Sequence, residues 1–198
     1  MRIAALVLAA GAGRRAGGPK ALLRLQGRTF LERTAAAFRH PGIGRVYAVI
    51  GHDAARVRRE TALPAAVTVL ENSRHESGML SSVLCGLDAA EADGIDALIL
   101  HPVDHPFVDA ATLDRVIAGL RAGGRVVVPS WEGRRGHPAG FARPSWDALH
   151  AAPPAEGARA VLHAHPDWVV HVEGDARCLI GVNTPEDLER LPGVSTEG

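Results

Sequence analysis

Short apolar runs that alternate with amphipathic, helix-like segments limit the possible folds of this sequence more than any other feature. Alternation of this kind produces a mostly parallel sheet covered by helices on both faces, so we predict an α/β fold with three layers, α/β/α and Rossmann-like. Strands are predicted over 3–9, 45–50, 66–70, 95–100 and 125–129. Helices are predicted over 29–38, 53–61, 77–90 and 109–122.

The last third of the chain has a less regular pattern. Short strands are predicted over 140–142, 168–172 and 177–182, and helices over 145–150, 158–165 and 184–191. Four residues are expected to cap helices: Thr29, Asp53, Ser77 and Thr184. The segment 153–157 is expected to be a surface loop. We expect one domain over 1–198, with a frayed tail at 193–198.

The charge balance excludes some classes of protein. The chain has 22 Lys and Arg residues against 22 Asp and Glu residues, which argues against a protein that coats nucleic acid. The N-terminal apolar run is too short for a signal-peptide core, and no run reaches the roughly 18 apolar residues of a membrane span. We therefore expect a cytoplasmic protein with neither a nucleic-acid nor a membrane partner.

The first predicted strand runs into a loop rich in glycine and positive charge. Residues 11–20 hold four glycines and the cations Arg14, Arg15 and Lys20. Glycine lets a backbone approach a ligand closely and turn its N–H groups toward it. Because parallel sheets bind ligands at the carboxyl ends of their strands, this loop predicts a polyphosphate site and a nucleotide-using enzyme.

These residues fit the two familiar phosphate-binding loop patterns poorly. A dinucleotide-binding loop needs a helix that begins among its glycines and an acidic residue about 20 positions later. Here Gly17-Gly18-Pro19 would break such a helix, and the second strand ends about 40 positions later. The Walker A pattern needs Ser or Thr after its lysine, whereas Ala21 follows Lys20. A dinucleotide-dependent oxidoreductase is therefore disfavoured, and binding of NAD(H) would revive it.

The pattern L-A-A-G-x-G-x-R-x-G-x-x-K over 8–20 resembles the signature loop of the MobA-like NTP transferases. Four later segments are similar to motifs of that family and follow in the family's order: 72–86, 101–108, 136–141 and 182–188. The resemblance covers nearly the whole chain. Within the family it is closest to the molybdenum cofactor cytidylyltransferases (MocA-like), because the cytidine branch tends to have Ala10 and Gly78-Met79 at these positions.

The resemblance implies roles for individual residues. Lys20 is expected at the α-phosphate, Arg15 at the triphosphate, and Asp104 and Asn183 as oxygen ligands of Mg²⁺, which prefers such ligands. His105 and His137 are expected on the acceptor side. The remaining nucleotide-binding residues implied by the resemblance are Leu8, Ala9, Ala10, Gly11, Ala12, Gly13, Asn72, Gly78 and Ser82.

The reaction that the resemblance implies is Mg²⁺-dependent transfer of CMP from CTP to molybdopterin, with release of pyrophosphate. A target molybdoenzyme then stays open as a partner. Asn183 is shared with the guanylyl branch, so a guanylyltransferase on the same acceptor stays open. A cytidylyltransferase acting on a sugar or polyol phosphate and a non-catalytic nucleotide-binding regulatory or chaperone module also stay open. The oligomeric state does not follow from the sequence.

Overall fold

The structure of this protein, a computed structural model, describes residues 1–191, so the predicted tail lies outside the described residues. The main strands are β1 (Ile3–Ala9), β4 (Arg45–Ile50), β5 (Val67–Glu71), β6 (Ala97–Pro102), β7 (Val126–Trp131), β8 (Arg134–Arg135), β9 (Ala139–Ala142) and β10 (Val169–Glu173). A small hairpin adds β2 (Arg24–Leu25) and β3 (Arg28–Thr29). The helices are α1 (Phe30–Ala37), α2 (Ala54–Glu60), α3 (Met79–Ala92), α4 (Ala110–Arg121), α5 (Trp146–His150), α6 (Arg159–Ala164) and α7 (Pro185–Glu189).

The predicted fold class is confirmed by an eight-stranded, mostly parallel sheet. Its order is β10-β7-β9-β6-β1-β4-β5, and β8 pairs with β7. The pairs β1–β4, β1–β6, β4–β5 and β7–β10 are parallel. The short strand β9 lies antiparallel between β6 and β7.

The two faces of the sheet are buried in separate apolar clusters, because successive side chains of a strand point to opposite faces. Along β1, Ile3 and Val7 pack on the face that α1, α2 and α4 cover, with Phe30 and Leu113. Leu6 packs on the other face, under α3, α5 and α6. Apolar layers on both faces are what a parallel sheet requires.

One predicted strand is wrong. Residues 177–182 pair with no strand of the described chain; instead Ala176–Leu179 form a 3₁₀ turn capped by the Asp175 side chain. The backbone of this segment bonds to site loops, with the Cys178 carbonyl accepting from His137 N at 2.9 Å and Val182 N donating to the Asp104 carbonyl at 2.8 Å. Cys178 and Val182 are buried there without any strand.

Two predicted caps are also wrong, and two are confirmed. Thr29 and Thr184 form complete capping boxes with Glu32 and Asp187. Asp53 precedes α2 with a φ of 51° and gives no side-chain cap, and Gly78 rather than Ser77 precedes α3. Neither Asp53 nor Ser77 therefore contributes the stabilisation expected of a cap.

The strand order fixes where a ligand binds. From β1 the chain builds outward through β4 and β5, and then returns to the other side of β1 with β6. A reversal of this kind opens a crevice at the carboxyl ends of the two central strands. The glycine loop after β1 and the Asp104 loop after β6 meet there, with Val103 N donating to the Leu8 carbonyl at 3.1 Å.

Candidate active site

The glycine loop closes on itself through its backbone. The Gly13 carbonyl accepts from Ala16 N at 2.8 Å and from Gly18 N at 3.2 Å, around a single 3₁₀ turn over Arg14–Ala16. Gly13 has a φ of 58°, and a Cβ there would collide with the Gly18 carbonyl. The turn ends at Gly17, so no long helix begins in the loop, as its glycines and proline predict.

Three side chains expected to carry the chemistry meet at the mouth of this loop. The Lys20 ammonium donates to an Asp104 carboxylate oxygen at 2.7 Å and to the Asn183 side-chain carbonyl at 2.8 Å. The Lys20 and Asp104 side chains are 19% and 21% exposed, so a ligand in solution can reach both. The three residues come from the loops after β1 and β6 and from the start of α7.

Backbone contacts fix the two oxygen-bearing residues. The Asp104 carbonyl accepts from Val182 N, which places the neighbouring Asn183 beside the Asp104 side chain. The Asn183 backbone N–H in turn donates to an Asp187 carboxylate oxygen at 2.9 Å. The capping box therefore begins α7 and also positions Asn183.

A cavity of about 380 Å³ adjoins these groups. Seven residues predicted to bind nucleotide line it: Leu8, Ala10, Gly11, Gly13, Lys20, Gly78 and Ser82. The predicted Arg15 and Asp104 line it too. Arg14, His75 and Met79 also line it, although the resemblance assigned none of them a nucleotide-binding role.

Three residues predicted to bind nucleotide do not line this cavity. Ala9 is 2% exposed and packs on the opposite face of the sheet, and Ala12 lies beside the cavity in the glycine loop. Asn72 is 4% exposed and donates from its amide to Ser82 Oγ at 3.0 Å and to Ser81 Oγ at 2.8 Å. Asn72 therefore acts behind Ser82, by holding the hydroxyl that lines the cavity.

Three histidines pack edge to face beside Asp104. The ring centres of His105 and His137 are 4.6 Å apart, and His101 lies 6.3 and 6.1 Å from them. His101 is fully buried, and its Nε2 lies 2.7 Å from the His105 carbonyl, which fixes Nε2 as the protonated nitrogen. The predicted acceptor-side residues His105 and His137 are brought together. His101 begins the 101–108 motif, just after the predicted strand, and was not assigned to the site.

Burial keeps these rings neutral. It lowers the pKa of His101 and that of His137 to about 3, against an ordinary value of 6.5. Burial also lowers the pKa of His105, although the neighbouring Asp104 carboxylate opposes the effect. The cluster therefore offers uncharged nitrogens at neutral pH, suited to hydrogen bonding and not to charge pairing.

A second, larger cavity of about 930 Å³ continues from the first. His105 and His137, the two residues predicted on the acceptor side, line it. The two cavities share the lining residues Leu8, Gly78, Met79, Pro102 and Asp104. They form one cleft with Asp104 in the common wall, a geometry that suits two substrates meeting at one carboxylate.

The oxygens of Asp104 and Asn183 fit a divalent cation. Both already lie within 2.8 Å of the same Lys20 ammonium, so they converge on a position that a small cation can take. A carboxylate and an amide carbonyl are the hard oxygen ligands that Mg²⁺ accepts. A separate group of Asp88, Glu91 and His150 is exposed on α3 and α5 and takes no part in this cleft.

Comparison with known families assigns the chain. The MobA-like NTP transferase domain matches residues 5–169. The chain belongs to this family. Membership indicates an enzyme of the nucleotidyltransferase class, and it confirms the resemblance on which the expectations for the glycine loop were based.

The relatives with known names are named for different activities. The chain is 39% identical over 125 residues to the bifunctional enzyme IspD/IspF of Rhizorhabdus wittichii, a match covering 60% of the chain and 30% of that protein. It is 43% identical over 105 residues to the molybdenum cofactor guanylyltransferase of Acidiphilium cryptum, covering 52% and 50%. It is 32% identical over 201 residues to the nicotine blue oxidoreductase of Paenarthrobacter nicotinovorans, covering 96% of each. The chain thus spans about a third of the IspD/IspF enzyme.

Solved structures share the fold over nearly the whole chain. Rv0371c of Mycobacterium tuberculosis superposes with a TM-score of 0.82 at 28% identity, covering 96% of this chain and 97% of that one. A manganese complex of the same protein gives 0.71 at 27% identity, with the same coverage. The 2-C-methyl-D-erythritol 4-phosphate cytidylyltransferase of Thermus thermophilus gives a TM-score of 0.67 at 25% identity, covering 94% of this chain and 95% of that one.

Over the described residues, no helix is long and apolar enough to cross a membrane.

Proposed function

We propose that this protein transfers a nucleotidyl group from a nucleoside triphosphate to a phosphorylated acceptor. An acceptor phosphate oxygen attacks the α-phosphorus and forms the new P–O bond. The bond between the α-phosphorus and the oxygen bridging to the β-phosphate breaks, and pyrophosphate leaves with that electron pair. An ionised acceptor phosphate needs no general base, so positioning and charge stabilisation supply the catalysis.

The contact of Lys20 with both Asp104 and Asn183 carries this proposal. Asp104 lines both cavities and Lys20 lines the smaller one, so an α-phosphate and an acceptor phosphate would meet beside this contact. Lys20 would stabilise the charge that grows on the α-phosphate oxygens, and Arg15 would bind the leaving pyrophosphate.

A divalent cation would be held by Asp104 and Asn183 and would neutralise charge on the triphosphate when bound. The manganese complex of Rv0371c supports divalent metal use, and we propose Mg²⁺ as the working ion. Nucleotide binding would draw the Lys20 ammonium toward the phosphates, which frees both oxygens for the cation.

We propose CTP as the donor because of Ala10. Ala10 lines the small cavity and is 5% exposed. Its methyl group leaves less room for the base than a glycine would, which favours a pyrimidine over a purine. The named guanylyltransferase relative keeps GTP as the alternative donor.

Molybdopterin is the proposed acceptor, and a sugar or polyol phosphate is the alternative. The guanylyltransferase relative is named for the molybdenum cofactor, which supports the first. The cytidylyltransferase of Thermus thermophilus is named for methylerythritol phosphate, which supports the second. Intact and paired Lys20 and Asp104 argue against a non-catalytic module.

A second candidate of another class is an oxidoreductase. The nicotine blue oxidoreductase matches 96% of this chain, more than the other two relatives do. The loop geometry weighs against it, because a single 3₁₀ turn ending at Gly17 replaces the helix that a dinucleotide-binding loop requires. Binding of NADH is the observation that would favour this candidate.

Thermal unfolding with CTP, GTP, ATP, UTP and NADH, each with and without Mg²⁺, tests the donor. A ligand at about a hundred times its Kd stabilises the folded state by roughly 2.7 kcal/mol, which is visible as a melting shift. We expect a Mg²⁺-dependent shift with CTP. A shift with GTP alone moves the assignment to a guanylyltransferase, and a shift with NADH alone overturns nucleotidyl transfer.

A further inference from the structure

A third cavity, of about 280 Å³, lies beside the loop that follows β6 and shares no lining residue with the cleft. The segment 106–108 and two alanines of α1 give it apolar walls. Three guanidiniums complete the lining, from Arg28, Arg33 and Arg177, and no carboxylate of the described residues lines it. We call this cavity the arginine pocket. It is a concave, positively charged surface outside the proposed reaction site.

The three arginines come from separate parts of the chain. Arg28 begins β3, Arg33 lies in α1, and Arg177 lies in the 3₁₀ turn over Ala176–Leu179. Arg177 donates to an Asp109 carboxylate oxygen at 2.7 Å and to an Asp175 carboxylate oxygen at 2.6 Å. Its side chain is therefore held in place, and its charge is offset by these two partners.

The charges of Arg28 and Arg33 are not offset in this way. In the part of the chain that the structure describes, neither guanidinium has a carboxylate oxygen within 4.0 Å. Arg33 donates to the Gln26 side-chain carbonyl at 3.3 Å, and its Nε is buried without a hydrogen-bond partner. Burial lowers the pKa of Arg33, and the charge of Arg28 lowers it further. A cation that has lost water beside a like charge is unfavourable, and a bound anion would relieve that cost.

We propose that the arginine pocket binds a phosphate group, either as the free anion or as a monoester. A phosphate group carries about two negative charges near pH 7, which matches the two guanidiniums that lack a carboxylate partner. Guanidiniums donate charge-assisted hydrogen bonds to phosphate oxygens. The volume lies just below the roughly 300–1,000 Å³ of pockets for larger ligands, which suits a small anion.

This site is separate from the nucleotide and acceptor cavities, so it does not depend on the proposed nucleotidyl transfer. It adjoins them through one loop. Asp104 and His105 line the cleft, and the next three residues, 106–108, line the arginine pocket.

The test follows the Nε–H signals of the arginine side chains by ¹H–¹⁵N NMR while inorganic phosphate is added at constant ionic strength. Arg28→Lys and Arg33→Lys identify the two signals by removing them. We expect both signals to shift in wild type and to saturate with one Kd. Arg28→Ala should weaken the phosphate affinity measured at Arg33 by about tenfold. The matched control Arg39→Ala removes an exposed cation just after α1, outside the pocket, and should leave that affinity unchanged.

Lys20→Ala distinguishes the arginine pocket from the cleft. Because Lys20 lines only the nucleotide cavity, the phosphate affinity measured at Arg33 should be the same in this variant as in wild type. A parallel titration with glycerol 3-phosphate identifies the form that is bound. Tighter binding than inorganic phosphate assigns the pocket to monoesters, weaker binding assigns it to the free anion, and both results support the site.

Three results would overturn the proposal. The Arg33 signal could fail to move, or it could move without saturating, as a general response to salt would. The affinity measured at Arg33 could be equal in Arg28→Ala and wild type, or it could fall in Lys20→Ala as it does in Arg28→Ala. Because Arg28 is exposed on the hairpin, its variants are expected to fold, and their melting temperatures verify this.

Discussion

The Lys20 ammonium lies 2.7 Å from a carboxylate oxygen of Asp104, although the two residues are 84 positions apart in the chain. The strand order produces this pairing, because β1 and β6 are neighbours and their following loops meet. The pair brings the proposed phosphate-binding cation and the proposed metal-binding carboxylate together at one point.

Replacement of either partner should abolish transfer while the fold survives. For Lys20→Ala and Asp104→Ala we expect activity to fall by about a hundredfold or more, since each removes a group that stabilises transition-state charge. A partly exposed ion pair contributes only about 1 kcal/mol or less to folding, so the melting temperature should change little. Arg39→Ala, an exposed cation just after α1, is the control. Full turnover in Lys20→Ala would contradict the mechanism.

Lys20 should weaken metal binding in the absence of nucleotide. Its ammonium occupies the two oxygens that a divalent cation would use, so Lys20→Ala should bind Mn²⁺ about tenfold more tightly than wild type. Free Mn²⁺ measured by electron paramagnetic resonance provides the affinity. The double variant Lys20→Ala/Asp104→Asn should lose this gain in Mn²⁺ affinity. Equal affinity in wild type and Lys20→Ala would place the metal elsewhere.

Two glycines of the loop provide a matched pair of variants. Gly13→Ala and Gly17→Ala both place a side chain at a left-handed φ, which costs about 1 kcal/mol. Only Gly13→Ala also collides with the Gly18 carbonyl; a Cβ at Gly17 meets nothing within 4 Å. We expect Gly13→Ala to lose the CTP-dependent melting shift and Gly17→Ala to keep it. Equal shifts would mean that this loop does not form the phosphate site.

Ala10 should set the choice of base. Ala10→Gly widens the base end of the small cavity, so the ratio of GTP to CTP affinity should rise by about tenfold or less. Ala9→Gly is the control, because its methyl group lies on the other face of the sheet. An unchanged ratio in Ala10→Gly would move base selection to other residues.

His101 should make stability depend on pH. Its pKa is about 3 when folded and about 6.5 when unfolded, so the folded state binds fewer protons between these values. The folding stability that depends on the neutral His101 ring is therefore fully present above pH 6.5 and is lost progressively as the pH falls toward 3. Between pH 7.5 and 5.5 wild type should lose about 1.4 kcal/mol more than His101→Gln. Urea unfolding at both values measures the difference, and equal losses would refute it.

Much of the fold could be predicted because its signals are local. The apolar run of β1 and the capping box at Thr29 each specify an element from a few adjacent residues. Parallel strands then bring their carboxyl ends to one edge, so the meeting of Lys20 with Asp104 follows from the alternation and from the family motifs. Asn183 joins them because α7 begins beside Asp104.

The missed features depend on tertiary contacts. The apolar pattern over 177–182 is like that of a strand, but its backbone groups bond to Asp104 and His137 instead of a sheet edge. His101 sits in an apolar strand, where nothing local indicates a histidine cluster. The wall of the larger cavity between Pro154 and His163 combines a loop and a short helix that only packing brings beside Gly78.

Transfer itself is the most direct test of nucleotidyl chemistry in this cleft. CTP labelled at the α-phosphate is incubated with the protein, Mg²⁺ and molybdopterin, and both labelled product and pyrophosphate are measured, with GTP and ribitol 5-phosphate as the alternative donor and acceptor. We predict equal amounts of pyrophosphate and cytidylylated molybdopterin from wild type, and neither from Lys20→Ala. No labelled product from any donor and acceptor pair, with a folded protein that binds CTP, would contradict the account.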